Sequence, residues 1–76
     1  MQTKDYRFTI IIESCEEGGY FAFCPALPGC HAQGETYEET IKEIHSIIRD
    51  FIEDYLAEGE PIPEDDVTIT SLKVAV

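Results

Sequence analysis

The sequence predicts an α+β domain in the order β-β-β-α-β, an antiparallel-rich sheet with one long helix packed on it. Three observations predict this class. The first 24 residues carry two stretches of strand-like alternation separated by paired glycines. The middle third carries an apolar stripe at steps of three and four, the helical period. Residues 67–76, VTITSLKVAV, return to β-branched alternation.

In the first predicted strand, Tyr6, Phe8, Ile10 and Ile12 fall on one face, and Arg7, Thr9, Ile11 and Glu13 on the other. The loop SCEEGGY follows, and its two glycines suit a tight reversal. Tyr20–Cys24, YFAFC, is the second strand of an antiparallel hairpin. Pro25 and Pro28 end it, because proline donates nothing to a ladder. Cys30–Gln33 forms a brief third strand, and Gly34 supplies a hinge before the helix.

The helix is expected over residues 37–58, a length of about 33 Å at 1.5 Å per residue. Thr36 stands three residues before Glu39, the spacing of a capping box. Glu38 and Glu39 sit in the first turn, where the helix dipole favours negative charge. Tyr37, Ile41, Ile44, Ile48, Phe51 and Tyr55 form the stripe, and Gly59 is the expected stop, with Pro61 and Pro63 beyond it. Ile47, Ile52 and Leu56 widen the stripe past what three short strands can cover. Either the last strand or another chain must cover the rest. In that last strand Val67 and Ile69 are odd while Leu72, Val74 and Val76 are even. A slip of phase near Ser71 implies a bulge or bend, which lets the two halves serve two sheets or two subunits.

Composition narrows the function. Seventy-six residues hold one domain, read as 1–76. Sixteen acidic residues against five basic ones give a net charge of −11. Such a chain repels a phosphate backbone, so no direct nucleic-acid partner is expected. It suits a basic protein partner, whose encounter the field would speed; the same charge also serves solubility alone. No apolar run spans a bilayer, and the leader MQTKDYR has no signal core, so a cytoplasmic protein is expected.

The three cysteines, Cys15, Cys24 and Cys30, are odd in number and expected to remain free thiols. Cys24, Cys30 and His31 are the only soft ligands close together. Their five-residue gap holds two prolines and no second pair follows, unlike a zinc site, so no metal is predicted. Cys30 and His31 are adjacent, which in a strand sends them to opposite faces and away from a thiol–imidazole pair. His45 lies beside the helix stripe, as a packed edge residue. No phosphate loop or nucleophile elbow is present. No enzyme activity and no cofactor are predicted.

The run YFAFCPALPGCHAQGETYEETIKEI, beginning at Tyr20, resembles the signature of the HicB-like antitoxin family. That signature is an aromatic-bearing strand, Pro-x-Leu-Pro-Gly, a short strand, Gly-Asp/Glu-Thr/Ser, then paired acids and an amphipathic helix. Pro25, Leu27, Pro28, Gly29, Gly34, Glu35, Thr36, Glu38 and Glu39 match it, and the order of elements carries the resemblance over nearly the whole chain. The resemblance implies a truncated ribonuclease-H-like fold without nuclease activity. It implies the antidote of a type II toxin–antitoxin pair, whose toxin, HicA, is a small basic ribonuclease that cleaves messenger RNA.

On this reading Pro25, Leu27, Pro28, Gly29, His31 and Glu35 are the expected partner-binding residues, and Gly34, Thr36, Glu38 and Glu39 the structural motif. Two departures from the family stand out. Many members continue into a DNA-binding segment, which is not expected here after Val76. Ala26 stands between the prolines where the family often has an acid. The alternative is a stand-alone oligomeric scaffold or small-ligand-binding protein with no toxin. Under both readings a dimer or higher even oligomer is expected, through Ile47, Ile52, Leu56, Leu72 and Val74.

Overall fold

The computed structural model describes residues 5–76; the first four residues of the leader read above lie outside the described part. The elements run β1 (Ile11–Ser14), β2 (Tyr20–Phe23), β3 (His31–Gly34) and α1 (Tyr37–Glu58). The strands form one antiparallel sheet in the order β1-β2-β3. Its register pairs Ile12 with Ala22 and Ala22 with Ala32.

That register places small residues where the helix lands. Ala22 and Ala32 are buried on one face of the sheet, and α1 crosses that face over β2 and β3. Short side chains there bring the helix axis close to the strands. From the helix, Thr40 and Ile44 are buried, and Ile47, Ile48, Phe51 and Tyr55 pack around them. The core is completed by Cys24, Leu27 and Cys30 from the loop between β2 and β3.

Both helix ends carry the expected chemistry. Thr36 is the extended N-cap, and its hydroxyl accepts from the Glu39 N–H at 3.1 Å. The Glu39 carboxylate in turn accepts from the Glu35 N–H at 3.3 Å, one residue earlier than a standard capping box. Gly59 closes the helix in the left-handed region at φ 69°, where its N–H donates to Leu56 O and Glu60 N–H donates to Tyr55 O.

Three expectations are corrected. Gly34 is not a hinge. A Cβ there would lie 2.5 Å from the Thr40 hydroxyl and 2.9 Å from the Thr40 nitrogen, so glycine is needed for close approach of strand and helix. The first strand begins at Ile11, not Tyr6, because its ladder with β2 starts at the pair Ile11–Phe23, and Phe23 is the last residue of β2. No fourth strand forms over residues 67–76 within the single chain. Ile69, Leu72, Val74 and Val76 are exposed instead. Alternation marks a segment able to pair, but pairing needs an edge within reach.

Candidate functional site

The stretch Cys24–Cys30 folds as two consecutive turns. Leu27 N–H donates to Cys24 O at 3.1 Å, closing a turn with Pro25 at its second position. Cys30 N–H donates to Leu27 O at 3.0 Å, closing a turn with Pro28 second and Gly29 third. Gly29 has φ 83°, the positive value that a type II turn requires at that place. Cys24 N–H donates to Cys30 O at 3.0 Å and ties the mouth of the corner. Two prolines fix φ and the hydrogen bonds fix the rest, so the corner is rigid.

The side chain at the junction, Leu27, turns inward and is fully buried. It anchors the corner from within, beneath the cleft described below, while its neighbours form the exposed tip. Pro28 and Gly29 are exposed at the tip, and Pro25 is half-buried. The Gly29 carbonyl lies 3.0 Å from His31 Nδ1. A carbonyl only accepts, so Nδ1 is the donor in this contact.

The sheet face opposite the helix is open. Phe21 and Phe23 project there, on the other side of β2 from Ala22. Their ring centroids are 6.1 Å apart, and Phe21 lies 5.8 Å from the His31 ring. His31 pairs with Phe23 across the sheet, and Gln33 and Glu13 flank Phe21. These three rings and the tip of the corner enclose a shallow cleft of ≈ 320 Å³. The sequence reading missed Phe21 and Phe23 as surface residues. The signal was present: large rings alternate with Ala22, and only the alanine position fits under a helix.

Glu35 does not join this group. It follows β3 at the far end from His31, about 13 Å away along the strand. It lines a separate hollow with Cys15, Glu17 and Tyr20. Thr36, Glu38 and Glu39 sit at the helix start, as expected of structural residues.

Cys24 and Cys30 point into the core while His31 points to the open face. Among the described residues, no three His, Cys, Asp or Glu side chains converge as a metal site would need. Burial pushes both thiols above their ordinary range. For Cys24, backbone N–H groups of Leu27 and Ala26 offset part of the rise, and the Asp65 charge adds to it. A thiol held protonated is a poor nucleophile. The arrangement offers a rigid apolar contact surface.

A family model described as the HicB-like antitoxin of a bacterial toxin–antitoxin system matches residues 8–74. The chain belongs to the HicB-like antitoxin family. Its relatives include the UPF0150 protein ssr1765 of Synechocystis, 44% identical over 71 residues, which cover 93% of this chain and 90% of that one. The UPF0150 protein Ta0767 of Thermoplasma acidophilum is 42% identical over 60 residues, 79% of this chain and 87% of its own. Antitoxin HicB 1 of Photorhabdus laumondii is 35% identical over 60 residues, 79% of this chain but 39% of that antitoxin. In this HicB-like chain no helix among the described residues is long and apolar enough to cross a membrane.

Proposed function

We propose that this HicB-like chain is the antidote of a small, basic, mRNA-cleaving toxin of the HicA type, acting in the cytoplasm by covering the toxin's surface. Family membership over residues 8–74 is the observation that carries this reading. The open aromatic face supports it. Phe21, Phe23 and His31 stand preorganised on a paired sheet beside a rigid corner, so binding orders few groups and little entropy is lost. Buried aromatic anchors of this kind carry most of the energy at protein interfaces. The net charge of −11 favours encounter with a basic partner.

The mechanism is stoichiometric occlusion, with no bond made or broken by the antitoxin. We read the sheet and helix as the truncated ribonuclease-H-like unit, serving as a scaffold and not as a nuclease. The alternative is a stand-alone oligomeric protein of the same fold, supported by the unpartnered groove described below.

Co-expression tests the reading. The small basic reading frame beside this gene should arrest growth alone, and growth should return with this chain. Phe21→Glu with Phe23→Glu should weaken binding by on the order of a hundredfold and abolish rescue, while the circular dichroism of the helix is retained. Persistent arrest with the unaltered chain, or full rescue by the double variant, would refute it.

A further inference from the structure

The helix carries a second apolar surface that its own sheet does not cover. Ile41, Ile48, Ile52 and Leu56 face Phe8 and Ile10 across a groove of ≈ 680 Å³. Its charged rim is balanced, with Asp5 and Glu53 against Arg7 and Arg49. In a chain of net charge −11, this is a neutral, greasy channel. A strongly basic partner gains little there.

The same chain holds a segment of matching chemistry. Residues 67–76 contain no acid and one base, Lys73, whereas all sixteen acids lie before them. Fully extended, ten residues span about 33 Å, the length of the 22-residue helix at 1.5 Å per residue. The segment departs from a fixed root, where Thr9 Oγ1 donates to Asp65 Oδ2 at 2.8 Å. Beyond it, among the described residues, 67–76 make no hydrogen bond within the chain. Leu72 and Val74 are 84% and 73% exposed.

Magnitudes show how much is left uncovered. The radius of gyration is 14.8 Å, against about 11 Å for a compact domain of this length. The accessible surface is 6508 Å², against about 4,700 Å² for a compact monomer of this mass. The excess of about 1,800 Å² per chain, about 3,600 Å² over two chains, falls in the range that obligate homodimers bury.

We propose that residues 67–76 of one copy lie as an added strand in the helix groove of a second copy, in reciprocal exchange. A two-fold pair fills both grooves and hides both segments, so the exchange closes on itself. Ile52 and Leu56 of one copy then meet Leu72 and Val74 of the other. Ile47 stays with its own core, where it packs against Ile44 and its neighbours. The exchange uses the helix flank and not the open sheet face, so it holds or fails independently of the toxin.

Sedimentation equilibrium of the full chain at micromolar concentration should give a dimer. Leu72→Lys with Val74→Lys should raise its dissociation constant a hundredfold or more. Both side chains are exposed in the single chain, so its helical signal should survive. In a Cys15→Ser background, a Leu56→Cys chain mixed with a Val74→Cys chain should cross-link through a short bis-maleimide at the mass of two chains. A monomeric wild type, a dimer indifferent to the lysines, or no cross-link in the mixture would overturn the proposal. So would a Leu56→Cys/Val74→Cys chain that links within itself.

Discussion

Leu27 and Pro28 are neighbours with opposite fates, and one turn decides which is which. The type II geometry at Pro28–Gly29 drives Leu27 inward and presents the proline ring outward. The sequence shows that a turn is there, but the direction of each side chain follows from hydrogen bonds that only the closed corner makes. The same holds for Gly34, where the need for glycine comes from Thr40, six residues on and across a packing contact. The thiols carry a prediction at this scale. Cys15 is exposed while Cys24 and Cys30 are buried with raised pKa. Iodoacetamide at mildly alkaline pH should label Cys15 alone in the native protein; equal labelling of all three would contradict the burial. The sign of the linkage is fixed. The unfolded chain releases these protons near the ordinary value of 9.0 and the folded chain only at higher pH. Stability from the neutral thiols is therefore complete below that value and lost as pH rises above it. The melting temperature of Cys24→Ala/Cys30→Ala should fall less between mildly and strongly alkaline pH than that of the wild type, and an equal fall would count against the linkage.

Elements differ in how far they can be read locally. The helix limits of 37 and 58 are visible in the sequence because each end carries its own signal, Thr36 with Glu39 and Gly59. Those interactions span five residues or fewer, so no tertiary knowledge is needed. The strands lack that property. The alternation from Tyr6 describes which side chains share a face, but the ladder starts at Ile11 because a neighbouring strand exists only from there. Residues 67–76 fail as a strand in the single chain for the same reason. Their alternation holds on either side of the slip near Ser71, but they pair with no strand of their own sheet. The cap sets a measurable quantity at this scale. Thr36→Ala removes the acceptor for the Glu39 N–H and should cost about 1 kcal/mol, or roughly 4–8 °C of melting temperature for a domain this small. Thr36→Ser keeps the hydroxyl and should recover most of that loss. Thermal melts in which serine and alanine are equally damaging would show that the threonine methyl, and not the cap, holds the helix start.

At the scale of the whole molecule, charge and shape divide the labour. Composition alone gives −11, a charge that works against a polyanionic partner. It cannot say where a partner sits, because acids on an amphipathic helix and acids round a binding face count the same. The fold supplies that distinction. It leaves two apolar surfaces, the aromatic sheet face with its corner and the helix groove, and only the first has Glu13 beside its rings. Long-range attraction should then govern how fast a basic toxin arrives, and the desolvated rings how long it stays. Charges separated by more than about 10 Å are screened at 0.1 M salt, while ring packing is not. Raising salt from about 50 mM to about 500 mM should therefore cut the association rate on the order of tenfold or more and leave the dissociation rate within about threefold. Phe21→Ala should do the reverse, speeding dissociation with little change in association. Stopped-flow binding with purified toxin separates the two. A salt effect confined to dissociation would place the charge pairs inside the contact and not around it, and the division of roles drawn here would be wrong.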